Sequence, residues 1–112
     1  SEQFNAISFT ITFDLKFPNN QSKIAQELLA LINENLWIGH FDITSKNGIP
    51  AFRHTILSNT DNDILHKKFE DLVDIGIYEC EKFYPTFQQV LFEDTTPEEA
   101  IKLSKFEIIG RA

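Results

Sequence analysis

The sequence predicts an α+β domain built on an antiparallel sheet, in the order strand, helix, β-hairpin, long helix and short C-terminal helices. Residues 6–17 alternate strictly, with every odd position from Ile7 to Phe17 apolar and every even one small or polar. An Asn47-Gly48 pair separates two β-prone runs, and from Leu65 onward apolar residues recur at helical spacing. Period two marks a half-buried strand, Asn-Gly marks a hairpin turn, and spacings of three and four mark an amphipathic helix.

The first strand turns its odd positions to the core. Pro18-Asn19-Asn20 stops it and offers Asn caps to a helix of about four turns, whose apolar positions are Ile24, Leu28, Leu31, Ile32 and Leu36 and which covers the sheet. Leu36–Thr44 and Ile49–Leu57 form the hairpin. A type I′ turn needs positive φ at both central residues, here Asn47 and Gly48. Lys46 then faces Ile49, and Ile43, Asp42, Phe41 and His40 lie opposite Phe52, Arg53, His54 and Thr55. Trp37, Gly39, Phe41, Ile43, Phe52, His54 and Ile56 share the core face, while His40, Asp42, Arg53 and Thr55 share the other with Leu36, Ile38 and Leu57.

The polar loop Ser58–Asp63 can cap a long helix running to about Tyr84. Leu65, Phe69, Leu72, Val73, Gly76, Cys80 and Phe83 form its buried stripe, with Ile64 and Ile75 on the flank. Pro85 has no N–H to continue the helix, so a kink or restart is expected, followed by a short helix presenting Phe87, Val90 and Leu91. Thr96-Pro97-Glu98-Glu99 reads as a capping box with Pro at the first helical position, opening a last helix through Ala100, Ile101 and Leu103. Residues 106–112 carry no assignment. Three strands make a narrow sheet with open edges.

At 112 residues the chain is one domain, residues 1–112, with a single core. Ten Lys+Arg against seventeen Asp+Glu give a net charge of −7, which repels a phosphate backbone and argues against nucleic acid as a partner. No run approaches the ~18 apolar residues of a membrane span, and the opening Ser1-Glu2-Gln3 lacks the pattern of a secretory leader. A single cysteine, Cys80, cannot form an internal disulfide, so a reducing, cytoplasmic setting is expected.

Chemistry is thin. His40, His54, His66 and Cys80 fall on different faces without metal-ligand spacing, so no metal is expected. Cys80 sits in the apolar stripe, where burial raises a thiol pKa and suppresses nucleophilicity. The glycines form no phosphate-cradling pattern, so no cofactor is expected. Residues 61–99 hold eleven acids against Lys67, Lys68 and Lys82, a local balance of −8. That reads as a solvated helix face or as a surface for a basic protein. Asp42 and Arg53 read as an exposed cross-strand ion pair.

Leu36-Trp37-Ile38-Gly39-His40-Phe41-Asp42, then Phe52-Arg53-His54, Asp71-Leu72-Val73-Asp74-Ile75, Glu79-Cys80-Glu81-Lys82-Phe83-Tyr84-Pro85 and Pro97-Glu98-Glu99-Ala100 stand in the order and spacing of one family. From about Phe9 onward the chain resembles the YbjN-like family, especially its alphaproteobacterial members. These are described as putative bacterial sensory transduction regulators, with a fold resembling type III secretion chaperones and no established catalytic residues. Two departures stand out. The family's domain normally has further N-terminal helix and strand segments, so this chain reads as a fragment or a shortened member. Many relatives have a Gly-Gly-Lys-Ser type loop where this chain has Glu93-Asp94-Thr95-Thr96, which reverses the loop's charge.

The expected function is a non-enzymatic protein-binding domain, chaperone-like or regulatory. The alternative is a small-molecule sensor with a pocket between the long helix and the sheet, lined by Trp37, His54 and Tyr84. The candidate protein-binding or dimer surface is Leu36, Ile38, His40, Arg53, Leu57, Ile64 and Ile75. A homodimer follows both from that apolar surface and from what a chaperone-like fold implies. The capping box makes one stability prediction: Thr96→Ala should cost about 1 kcal/mol, read as a lower urea midpoint at unchanged slope.

Overall fold

The structure, a computed structural model, describes residues 5–44, 46–58 and 62–110, with side chains described at 5–44, 46–57 and 65–105. The chain runs through β1 (Asn5–Thr12), a 3-10 turn (Asn19–Gln21), α1 (Ser22–Asn33), β2 (His40–Ile43), β3 (Pro50–Ser58), α2 (Asn62–Phe92) and α3 (Pro97–Gly110). The sheet is antiparallel in the order β1-β3-β2, which is the expected α+β class. β3 is central, so β1 and β2 are the two edges.

The alternation in residues 6–17 sets the face as read, although ladder pairing stops at Thr12. Beyond it the chain keeps hugging the hairpin: Phe13 N–H donates to the Pro50 carbonyl at 3.0 Å and Phe17 N–H to the Gly48 carbonyl at 2.9 Å. Leu15 and Phe17 are thereby buried, more fully than the half-buried Ile7, Phe9, Ile11 and Phe13 before them.

That contact also explains why the hairpin departs from its expected register. His40 pairs with Arg53, Phe41 with Phe52, Asp42 with Ala51 and Ile43 with Pro50, two residues from the tight-turn register. Gly48 has φ +71° and Asn47 does not share its left-handed conformation, so the turn is not type I′. Asn47 instead uses its side-chain oxygen to accept from Ile49 N–H at 3.0 Å and from the Thr44 hydroxyl. Any Cβ at Gly48 would strike the Phe17 carbonyl. The loop is wide because Phe17 packs on it. A slip of two preserves faces, so Phe41 and Phe52 stay in the core and Arg53 stays outside.

β2 is shorter than the expected strand from Leu36. Gly39, at φ +64°, turns the chain past the Phe52 ring with no room for a Cβ, so Leu36–Gly39 leaves the ladder. Leu36 packs against the core, but Trp37 is 78% exposed rather than on the core face. The Asn caps also fail. Asn19 and Asn20 form the 3-10 turn instead, the residue preceding α1 is Gln21, and no side chain caps it. α1 has 12 residues and buries Ala25, Leu28, Leu29 and Ile32, leaving Ile24 exposed. It packs on β2 and α3.

α2 has 31 residues, about 46 Å at 1.5 Å per residue. Its stripe is as read, and at Gly76 it lies directly against the sheet. A Cβ there would stand 3.0 Å from both the Phe52 and Phe9 rings and 3.2 Å from Ile11. Of the kink or restart expected at Pro85, the restart does not occur: the helix runs on through the proline to Phe92. Continuation keeps Phe87 and Val90 in line with Phe83 and buries both, and two buried apolar side chains at ~1.5–3 kcal/mol each outweigh the ~3 kcal/mol cost of an interior proline. The expected cap of α2 in residues 58–63 lies outside the described side chains. α3 opens at Pro97 as read, and the Thr96 half of the capping box is present, with Glu99 N–H donating to the Thr96 hydroxyl at 3.2 Å; the helix extends to Gly110, through residues without an assignment from sequence.

One polar contact ties α1 to the sheet. The Asn33 carboxamide accepts from Phe41 N–H at 2.8 Å and donates to the Phe41 carbonyl at 3.0 Å. Phe41 faces away from β3 in the ladder, so these are its edge groups. Asn33→Ala should cost about 2 kcal/mol, because two partly buried backbone groups lose their partners. Thermal unfolding checks it, and an unchanged midpoint would mean that water replaces the amide.

Candidate functional site

The two edges of the sheet differ. β2 is four residues long, carries Asp42 and His40, and has its outward groups at Phe41 bonded by Asn33. β1 is eight residues long and uncharged from Asn5 to Thr12. The Phe13-to-Pro50 bond fixes which residues face β3, since pairs alternate along an antiparallel ladder. Ile7, Phe9 and Ile11 bond to β3. Ala6, Ser8, Thr10 and Thr12 therefore point their N–H and C=O groups away from the sheet, and no neighbouring strand is described there.

Beside the C-terminal half of that edge lies a groove of about 380 Å³ between β1 and α2, lined by Ile11, Phe13, Ile77, Cys80, Tyr84, Pro85 and Glu81. Glu81 is its one charged lining group. The Tyr84 hydroxyl donates to Asp14 at 2.6 Å, and this bond, with partial burial, raises the phenol's pKa. The tyrosine's polar tip is therefore engaged at the rim. At the floor, burial first and then Glu79 and Glu81 push the Cys80 thiol up to about 12, so it is a neutral apolar surface at neutral pH, as its place in the stripe implied.

The three residues expected to share a pocket are dispersed. Tyr84 lines this groove, His54 lines a separate cavity of about 390 Å³ with Ile56, Leu65, Lys68 and Leu72, and Trp37 lines neither. The expected surface set is also divided. His40, Arg53 and Leu57 lie on the sheet face turned away from α2, with Asp42 accepting from Arg53 at 2.8 Å and lying 3.6 Å from His40. Leu57 is 70% exposed. Leu36, Ile38 and Ile75 are half-buried, with Ile75 on α2, and the side chain of Ile64 lies outside the described residues. The sequence reading missed Ile77 and the uncharged edge of β1. Both had a signal: Ile77 is apolar on the solvent-facing side of the stripe, and eight strand residues without a charge are unusual for an edge.

Among the described residues, no three His, Cys, Asp or Glu side chains are grouped to hold a metal, and no helix is long and apolar enough to cross a membrane. Glu79 is the oddity. It is 5% exposed, its Oε2 has no hydrogen-bond partner among the described residues, and burial raises its pKa, offset only in part by Lys82. A raised carboxyl contributes stability that is complete below its unfolded pKa and is lost as pH climbs through the folded one. Glu79→Gln should therefore raise the urea midpoint at pH 7, and the gain should vanish as pH falls below about 4, the unfolded value for Glu. A pH-independent difference would place the effect elsewhere.

No curated protein and no solved structure matches the chain. A family profile does, over residues 1–89, and its description is "putative bacterial sensory transduction regulator". That span contains β1, α1, the hairpin and α2 almost to its end, and with it both the open edge and the groove: the chain belongs to the YbjN family.

Proposed function

We propose that the chain is a non-enzymatic protein-binding domain with a regulatory or chaperone-like role. The observation that carries this reading is the pairing of an unguarded strand edge with an apolar groove, where polar groups able to orient a substrate do not converge. Membership of a family described as sensory transduction regulators supports a regulatory setting. The sensor reading has one observation in its favour, a groove between α2 and the sheet that includes Tyr84. Small-ligand sites combine apolar walls with a few placed polar groups, whereas the tyrosine hydroxyl here is bonded to Asp14 and only Glu81 remains. The groove suits apolar side chains presented by a protein.

The homodimer belongs to the same proposal. Trp37, Leu57, Tyr78 and Phe92 are large and more than half exposed, and a two-fold contact is the simplest way to cover such residues. The test combines two measurements. Affinity capture from native extract should enrich a discrete protein on the wild-type chain and lose it on Ile77→Asp, and sedimentation equilibrium should return the mass of two chains. Capture unaffected by Ile77→Asp would reject the groove as the binding face, and a single-chain mass at micromolar concentration would reject the dimer.

A further inference from the structure

We propose that the free edge of β1 takes up an extended segment of a protein partner as a fourth strand, apolar at alternate positions and carrying Lys or Arg. This rests on the protein-binding reading and deepens it by naming the mode and the chemistry of the partner. Four consecutive outward positions, Ala6, Ser8, Thr10 and Thr12, offer their N–H and C=O groups, enough to pair a strand of about eight residues. Among the described residues no proline or side-chain amide occupies them, in contrast to Phe41 on β2, whose edge groups Asn33 holds, and the Arg53 guanidinium, 3.4 Å from Thr10, touches that residue's hydroxyl and not its backbone. Strand addition supplies affinity through the backbone, and pockets beside the edge read alternate side chains. The groove at Ile11, Phe13, Ile77 and Tyr84 is such a pocket.

Charge selects the occupant. Glu70, Asp74, Ile77 and Glu81 recur at i, i+4, i+7 and i+11, so the exposed acids share one stripe of α2 with the groove residue Ile77. Asp14 sits at the rim through Tyr84. Lys67 on the same helix is engaged by Asp71 at 3.1 Å, and Arg53, which reaches the Thr10 hydroxyl, is engaged by Asp42 at 2.8 Å. A second copy laid antiparallel on β1 would bring an identical acidic stripe against this one, and like charges brought together in this way are repulsive. A basic segment meets the opposite.

The probes are two octapeptides, one alternating Val with Lys and one alternating Val with Glu. Amide hydrogen exchange should show Ala6, Ser8, Thr10 and Thr12 exchanging freely in the isolated chain and protected at least tenfold when the Val/Lys peptide is bound. The Val/Glu peptide should bind at least tenfold more weakly at low salt, with the gap closing as salt rises. Ser8→Pro, which removes only an outward N–H, should abolish peptide binding with the circular-dichroism melt retained, and Glu81→Lys should narrow the preference between peptides even if Ser8→Pro fails to fold. Four amides already protected in the free chain, or equal affinity for the two peptides, would overturn the proposal. So would wild-type levels of partner capture by a folded Ser8→Pro chain, which would leave protein binding through another face standing.

Discussion

The packing of this protein converges on Phe41. Its ring lies 5.4 to 6.0 Å from the rings of Phe13, Phe52, Phe83 and Phe87, which belong to the β1 extension, β3 and α2. Its backbone is held on the other side by Asn33 at the end of α1. Four of the elements thus meet at one residue of a four-residue strand. Edge-to-face and tilted contacts of this kind add about 0.5–1.5 kcal/mol each beyond the area they bury. A strand as short as β2 cannot hold itself on a sheet through its ladder alone, so the ring cluster and the Asn33 clamp keep it in place. Gly76 has the complementary part, letting α2 come close enough for Phe83 and Phe87 to reach that cluster.

What was legible in the sequence was periodic, and what was not was tertiary. The alternation from Ile7 to Phe17 and the stripe from Leu65 to Phe83 fix which side chains face inward, because burial of apolar surface enforces those periods whatever the details. The hairpin register differs by two residues from the tight-turn expectation because Asn47-Gly48 is only a local signal. The turn is decided instead by Phe17, thirty residues upstream, whose backbone occupies the space a tight turn would leave empty. The unbroken helix through Pro85 has the same kind of cause, since the local rule that a proline restarts a helix yields to the burial of Phe87 and Val90. Asn33 has no signature at all in one dimension: it reads as a polar break after a helix, and only the fold shows it acting as a surrogate strand.

The candidate site was hardest to read because it consists of backbone. Sequence patterns single out side chains that carry chemistry, and here such residues are dispersed or silent. His54 and Tyr84 line different cavities, Trp37 lies out in solvent, and the Cys80 thiol is held neutral by burial. The groups without a partner among the described residues are the amides and carbonyls of Ala6, Ser8, Thr10 and Thr12, whose side chains are small. Their significance appears only once β3 is known to be central and β1 terminal in the sheet, an order that chain connectivity alone does not give.

An edge this plain is a hazard as well as an opportunity, because a long uncharged strand with free backbone groups is the pattern that invites pairing between copies. Natural sheets usually answer with a charge or a proline on the strand itself, and β1 has neither. The acids are placed one layer away, on α2, where Glu70, Asp74 and Glu81 stand with Ile77 and the net charge of the chain is −7. Repulsion from that position acts on another copy of the whole domain, which must bring its own α2 along with its β1. A bare extended segment brings no such helix. The same charges that keep identical edges apart therefore leave the edge accessible to a strand of opposite character, and selectivity arises from the helix while affinity arises from the backbone.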